Sequence, residues 1–82
     1  MKRIGLALHY SHMGNLVVRL FEVPPLYVNT YTYTMKKVGI LYDVIGNIKN
    51  PYGLVKATSR DDSIIGQAIY VKPQELERKR RK

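Results

Sequence analysis

The sequence contains no cysteine and no tryptophan, and it has only six acidic residues against fourteen basic ones. Without thiols, neither a disulfide nor a thiolate-bound zinc ion can stabilise the fold. Stability must therefore come from a packed core or from a partner, and a chain of 82 residues is expected to form one domain. The absence of cysteine is typical of a reducing compartment, so we expect a cytoplasmic protein.

Long apolar runs are also missing, and every apolar stretch is shorter than the roughly 20 residues that a membrane-spanning helix needs. Residues 1–15 begin basic and then turn apolar, as a signal peptide does. However, Gly5, His9, Tyr10 and His12 interrupt the apolar part. We therefore interpret this segment as the first strand of the fold.

Positive charge is concentrated at the end of the chain. From Lys72 onward, six basic and two acidic residues supply +4 of the net charge of +8. Such a segment attracts polyanions, of which nucleic acid is the common one, but it is equally typical of a solvated chain end. We predict that residues 74–82 form a frayed or disordered basic tail.

Alternating apolar residues dominate the rest of the chain and predict strands rather than helices. In the first strand, Ile4, Leu6, Leu8 and Tyr10 alternate with small residues, so we expect these four on the core face. Gly14 follows in a turn, and turn signals recur along the chain. The predicted strands cover residues 4–10, 16–21, 26–35, 38–45, 52–57 and 64–71.

Six short strands and no convincing helix predict an all-β fold, a small six-stranded β-barrel over residues 1–73. Glycines within the strands favour a barrel over a sandwich, because tight curvature requires them. Gly39 lies inside the fourth predicted strand, where we expect a bulge or a close backbone approach. Gly66 is expected to mark a bend in the last strand.

Signs of catalysis or of a cofactor are weak. His9 and His12 are the two histidines, and no carboxylate lies near them in sequence to complete a metal site. Asp61 and Asp62 are adjacent, so their side chains alternate in an extended chain and suggest a solvated turn. We predict a protein that is not an enzyme and that holds neither a metal nor a cofactor.

Seven tyrosines, one phenylalanine and no tryptophan make tyrosine the general large residue of this chain. Tyr27, Tyr31 and Tyr33 are expected on one face of the third strand, where they could stack on single-stranded nucleic acid. Packing or a protein interface is the favoured alternative for these amphipathic rings.

The segment VIGNIKNPYGLVKA, residues 44–57, places two glycines and an Asn-Pro pair among aliphatic residues. It is expected to form a strand end, a loop bounded by Gly46 and Gly53, and the next strand. If the loop folds outward, its apolar side chains form an exposed patch of the kind that marks partner sites. If it folds inward, they plug the barrel.

This segment and its surroundings resemble the Gar family, a small subunit of H/ACA ribonucleoprotein pseudouridine synthases. The resemblance covers about residues 4–73. It is carried by the central pattern, in which Asn47 replaces the proline usual for that family. The matching residues are Lys36-Lys37-Val38-Gly39, Tyr42-Asp43-Val44-Ile45-Gly46, Ile48-Lys49-Asn50-Pro51-Tyr52 and Val55-Lys56.

The resemblance implies a barrel related to the second domain of translation elongation factors and a non-catalytic role in RNA pseudouridylation, rRNA processing and ribosome biogenesis. It implies docking on the catalytic pseudouridine synthase subunit, promotion of substrate RNA loading and release, and indirect association with guide RNA and substrate rRNA. The partner-binding residues predicted on this basis are Val44, Ile45, Gly46, Ile48, Lys49, Pro51 and Tyr52.

A barrel that binds RNA directly is the alternative hypothesis. In it, basic residues contact phosphates and the tyrosine face stacks on bases. The candidate RNA-contacting residues are Lys36, Lys37, Arg78, Lys79, Arg80, Arg81 and Lys82, with Lys2 and Arg3 at the other end of the chain.

Overall fold

Six antiparallel strands close into a barrel. A computed structural model describes residues 1–11, 13–47, 49–58 and 60–76. It confirms the predicted all-β, six-stranded barrel. The strands are β1 (Lys2–Tyr10), β2 (Asn15–Leu20), β3 (Asn29–Tyr31), β4 (Lys37–Gly46), β5 (Pro51–Ala57) and β6 (Ala68–Val71). Around the barrel they follow the order β1–β2–β5–β4–β3–β6.

The core lies inside the barrel and consists of aliphatic side chains contributed by every strand except β3. Thr30 supplies the inward side chain of β3, and its hydroxyl donates to the Gly39 carbonyl at 2.9 Å, so this buried polar group is satisfied. The largest fully buried aliphatic residues are Ile4, Leu16, Val18, Val28, Leu41, Val55, Ile69 and Val71.

Irregular pairing in β1 changes the expected face of Leu6. The register of β1 shifts against β6 between Arg3 and Gly5, and it shifts against β2 between Ala7 and His9. As a result Ala7 lies in the core, fully buried, and Leu6 lies on the outer surface. The assignment of Leu6 to the core face was wrong, because the first irregularity reverses the alternation of the strand. The second restores it, and Tyr10 packs against the core as expected.

Close backbone approach at Gly39 is confirmed. A Cβ atom built on this residue would overlap the Lys56 carbonyl oxygen on β5. The register between β3 and β4 also shifts beside Gly39. A residue without a side chain therefore allows β4 to curve between its two neighbours.

The third predicted strand, 26–35, was too long, since β3 contains only Asn29–Tyr31. Tyr27 and Met35 have positive φ angles of 69° and 72°, which an extended strand excludes. A tight turn follows β3, in which the Met35 amide donates to the Thr32 carbonyl at 2.9 Å. High strand propensity in this segment did not override its turn geometry.

The last predicted strand, 64–71, begins only at Ala68. A short 3-10 helix, Asp62–Ile64, precedes it, and Gly66 makes the expected bend with a φ angle of 86°. A helical turn, α1, covers Pro73–Leu76, at the start of the segment that was predicted to be frayed or disordered. The predicted tail, 74–82, thus begins within α1, and its residues 77–82 lie outside the described part of the chain.

Candidate functional site

The central segment forms the far end of the hairpin made by β4 and β5. Ile45 pairs with Tyr52 and Gly46 pairs with Pro51, so the strands continue into the region predicted to be a loop. Only residues 47–50 connect them, and Ile48, a predicted partner-binding residue, lies outside the described residues. We refer to residues 42–47 and 49–53 as the hairpin arm.

The turn of the hairpin arm depends on Gly46 and Asn47. Gly46 has a φ angle of 93°, and a Cβ atom on it would lie 2.7 Å from the Asn50 carbonyl oxygen. The Asn50 amide donates to the Asn47 side-chain oxygen at 2.9 Å. A proline at position 47 could not accept this bond, so the asparagine provides a different way of closing the same turn.

The apolar side chains of the hairpin arm point in both directions. Val44 packs against the barrel core and is opposite the buried Gly53. Ile45 points outward with 47% of its surface exposed, beside the half-buried Tyr52. The arm therefore packs Val44 against the core and presents Ile45 and Tyr52 to the surroundings.

The surface around Ile45 and Tyr52 continues across two neighbouring strands. Tyr52 is opposite Arg19 on β2, which in turn is opposite Leu6 on β1. The next outward pair along β5 and β2 is Leu54 with Val17, both half-buried. We call this apolar surface the outer patch, and its members are Leu6, Val17, Ile45, Tyr52 and Leu54.

Sequence reasoning identified only the hairpin end of the outer patch. The alternation in β2 correctly separates Val17 from the core residues Leu16 and Val18. It does not show that Val17 lies beside Leu54, because that requires the pairing of β2 with β5. Leu6 was missed because of the bulges in β1.

One edge of the hairpin arm is open. β3 pairs with β4 only between Lys37 and Ile40, and the Leu41 amide makes a last bond to the Val28 carbonyl at 3.0 Å. Beyond Leu41, the described residues supply no backbone partner for this edge of β4. The Val44 amide instead donates to the adjacent Asp43 carboxylate at 2.9 Å. An unpaired strand edge can accept a further strand from a partner.

The charge around the outer patch is mainly positive, with one exposed carboxylate, Asp43, opposite Leu54. Arg19, Lys49 and Lys56 are exposed. The ion pairs within the described residues lie elsewhere, namely Lys2–Glu22, Lys36–Asp61 and Arg60–Asp62. The arrangement of an apolar centre with a cationic rim suits a partner surface that is apolar and acidic.

The described residues predicted to contact RNA are only partly brought together with the three tyrosines, since Lys37 is opposite Tyr31. Lys36 and Lys37 are exposed at the start of β4, and Lys36 is 3.7 Å from Asp61. The tail residues lie outside the described part of the chain. These are Arg78, Lys79, Arg80, Arg81 and Lys82.

The expectation that Tyr27, Tyr31 and Tyr33 share one face was wrong. Tyr27 precedes β3 at a positive φ angle, and Tyr33 follows it in a turn with 68% of its surface exposed. Tyr31 alone belongs to β3, where it lies opposite Tyr70 of β6. The aromatic pair that the fold creates is therefore contributed by two strands distant in sequence.

The Asp61 carboxylate has a structural role. Asp61 begins the 3-10 helix, where its carboxylate accepts bonds from the Ser63 hydroxyl at 2.6 Å and the Ser63 amide at 3.0 Å. These bonds, with a smaller contribution from Lys36, hold the pKa of Asp61 below its ordinary value. No three metal-ligating side chains converge within the described residues, and His12 lies outside them.

The molecule is thus a small closed antiparallel barrel with an apolar patch and an open strand edge at one hairpin. No family model matches the chain. It is similar to an uncharacterized protein of Methanothermobacter thermautotrophicus, with 26% identity over 76 residues that cover 87% of this chain and 83% of the relative. The described residues contain no helix long and apolar enough to cross a membrane.

Proposed function

We propose that this chain is a non-catalytic accessory subunit that docks on the catalytic pseudouridine synthase subunit of an H/ACA ribonucleoprotein. There it promotes loading and release of substrate RNA during rRNA pseudouridylation, in the cytoplasm. The observation that carries the proposal is the outward pair of Ile45 and Tyr52 at the hairpin end of the outer patch. The resemblance of the segment around them to the Gar family supplies the identity of the partner.

The energetics of the outer patch suit a protein interface. Ile45 and Tyr52 are neighbours on paired strands, so a partner covers both with little loss of conformational freedom. Binding energy usually concentrates on a few central aromatic and aliphatic side chains, each contributing about 2 kcal/mol or more when truncated. We assign Tyr52 the role of aromatic anchor and Ile45 the role of its apolar neighbour.

The rim and the open edge add selectivity. Arg19, Lys49 and Lys56 surround the outer patch, and such charges affect the association rate more than the affinity. An extended segment of the partner can pair with the open edge of β4 when it displaces the Asp43 carboxylate from the Val44 amide. Together these features favour a partner that offers an apolar, acidic surface next to an extended segment.

The test is a pull-down of the catalytic synthase subunit by the purified chain. The substitutions Ile45→Asp and Tyr52→Ala are expected to weaken capture by about thirtyfold or more, the equivalent of about 2 kcal/mol. Ile65→Asp is the matched control, because Ile65 is also exposed but lies in the turn before β6. Circular dichroism establishes that each variant keeps the barrel.

Unchanged capture by folded Ile45→Asp and Tyr52→Ala variants contradicts the proposed docking surface. Failure of the wild-type chain to capture the synthase contradicts the proposed partner. Equal loss in the Ile65→Asp control shows that added negative charge, rather than the outer patch, is responsible.

A further inference from the structure

A second surface lies where the barrel closes. On the outer face, Arg3 of β1 is opposite Tyr70 of β6, Tyr70 is opposite Tyr31 of β3, and Tyr31 is opposite Lys37 of β4. Their neighbours in sequence, such as Thr30, Ile69 and Val71, point into the core. The set thus consists of two half-buried rings between two exposed cations. We call it the tyrosine row, Arg3–Tyr70–Tyr31–Lys37.

Further cationic and aromatic groups flank the tyrosine row. The Lys72 ammonium lies 5.1 Å from the centre of the Tyr31 ring. At the other end, the Arg3 guanidinium lies 5.8 Å from the centre of the Phe21 ring, which is 53% exposed. Positive charge and flat apolar rings therefore alternate across the outer surface of four strands.

The cations of this surface are not neutralised by ion pairs in the described residues. The ion pairs there involve Lys2, Lys36 and Arg60, and none involves Arg3, Lys37 or Lys72. The acidic residue bordering the row is Glu75 of α1, whose carboxylate accepts a bond from the Asn29 side chain at 3.2 Å. Asn29 is two residues from Tyr31 on β3, so the carboxylate limits the row at that side.

This chemistry matches that of single-stranded nucleic acid. Bases stack on aromatic rings whatever their sequence, and lysine and arginine contact the phosphates between them. A neutral apolar partner would leave three cations without counter-charges, and an acidic peptide would leave the rings without a flat group to cover them. The net charge of +8 also favours a polyanion over a neutral partner.

We propose that the tyrosine row, with Lys72 and Phe21, is a binding site for single-stranded nucleic acid. The bases stack on Tyr31 and Tyr70, and the phosphates lie along Arg3, Lys37 and Lys72. The rings of the row lie on β6 and β3, which carry no residue of the outer patch, and on the shared strands β1 and β4 the two surfaces use different residues. A docked protein and a bound strand can therefore occupy the molecule together, and this site does not rest on the proposed docking function.

Fluorescence anisotropy with the full chain tests the site, using labelled oligouridylate and oligothymidylate of about ten nucleotides as probes. Tyr31→Leu and Tyr70→Leu keep an apolar side chain but remove the ring, and each is expected to weaken binding by about 5- to 100-fold. Tyr31→Phe and Tyr70→Phe keep the ring and are expected to retain the wild-type affinity. Tyr33→Leu is the matched control, since Tyr33 is exposed outside the row.

The cations are tested in the same assay at several salt concentrations. Loss of one phosphate contact on a single strand lowers the slope of log affinity against log salt by about 0.7. Lys37→Gln is expected to cause such a decrease, and Lys49→Gln on the hairpin arm is expected to cause none. Amide chemical shifts of the wild-type chain give a readout without substitution, and the oligonucleotide is expected to move those of β3 and β6.

Equal affinity of the wild-type and the leucine variants overturns the proposal, as do shift changes confined to residues 77–82. Competition by polyglutamate as strong as that by unlabelled oligonucleotide also overturns it, since the site would then recognise acidic chains in general. Binding of either oligonucleotide by the wild type, with loss of affinity in the leucine variants, supports the proposed site. A preference between the two oligonucleotides then assigns the site to RNA or to DNA.

Discussion

Asp61 and Tyr10 show how single polar residues hold the connection between β5 and β6. The Tyr10 hydroxyl accepts a bond from the Asp61 amide at 2.9 Å and lies 3.2 Å from the Asp61 carbonyl oxygen, to which it donates. The Arg60 guanidinium lies 5.0 Å from the centre of the Tyr10 ring. With the Asp61 carboxylate bound to Ser63, both the backbone and the side chain of Asp61 are fixed.

The Asp61 carboxylate is expected to make stability depend on pH. Its pKa is lowered from 3.8 in the folded chain, so its stabilising effect is complete above that value and is lost as pH falls through the folded pKa. Asp61→Asn keeps an acceptor but removes the charge. We expect it to lower the unfolding temperature at about pH 7 and to approach the wild type as the pH falls through the lowered pKa of Asp61.

Thermal unfolding followed by circular dichroism across this range measures the effect. Ser63→Ala removes the main hydrogen-bond donor to Asp61 and is expected to reduce the pH dependence in the same direction. A constant difference between Asp61→Asn and wild type at every pH would show that the charge does not contribute.

At the scale of residues, the sequence predicts which types of side chain form a surface better than it predicts which residues lie side by side. It raised base stacking on tyrosines beside basic residues as the alternative to packing or a protein interface, but it grouped Tyr31 with Tyr27 and Tyr33. The partner of Tyr31 is Tyr70, which the closure of the barrel brings beside it. Such a pair depends on register between distant strands, and a local pattern of alternation does not contain that information.

Among the elements, the hairpin of β4 and β5 carries the proposed docking surface, and its turn uses a glycine in the left-handed region. Gly14 in the turn between β1 and β2 has a similar φ angle, 86° against 93° for Gly46. Their surroundings differ. A Cβ atom on Gly14 meets nothing within 4 Å, whereas one on Gly46 lies 2.7 Å from the Asn50 carbonyl oxygen.

Substitution of each glycine by alanine separates the effect of the left-handed φ angle from the effect of the close contact with Asn50. Gly14→Ala is expected to cost about 1 kcal/mol, because a left-handed φ angle is unfavourable for a residue with a side chain. Gly46→Ala is expected to cost more and to weaken capture of the synthase, since the turn must move away from Asn50. Unfolding temperatures provide the comparison, at about 4–8 °C per kcal/mol for a domain of this size. Equal destabilisation would mean that the turn relaxes freely.

Alternation of apolar and polar residues predicted four elements well. β1, β2, β4 and β5 lie within about two residues of their predicted bounds. The other two strands were overestimated because tyrosine, threonine and isoleucine have high strand propensity wherever they occur. Hydrogen bonds of the turn after β3 and of the 3-10 helix before β6 compete with strand pairing there.

For the whole molecule, the weakest part of the closed sheet is the seam between β3 and β6. In the described residues, one pair, Tyr31 with Tyr70, joins these two strands, whereas β4 and β5 are paired from Gly39 to Gly46. Local opening requires the least free energy where the fewest interactions are lost. The barrel is therefore expected to open first along this seam.

Amide hydrogen exchange tests this order of opening. We expect the amides of β3 and β6 to exchange faster than those of β5, which is paired on both sides by β2 and β4. A ligand that spans Tyr31 and Tyr70 is expected to slow exchange at the seam selectively. Uniform exchange across all six strands would indicate that the barrel opens only as one unit.

The candidate site was predictable only where it is local in sequence. Ile45, Pro51 and Tyr52 were selected because apolar residues beside glycines and a proline are unusual in a simple strand or a simple loop. The contributions of Val17 and Leu54 arise from strand order, which the sequence alone left undetermined.

The open edge of β4 also affects whether copies of this chain associate with one another at high concentration. Exposed strand edges promote sheet-to-sheet aggregation unless a charge or irregularity interrupts them. Asp43 lies at the irregularity in β4 and caps the Val44 amide with its own carboxylate. If a second copy paired antiparallel with this edge, the two Asp43 carboxylates would lie opposite each other. Their repulsion is expected to disfavour self-association at the open edge.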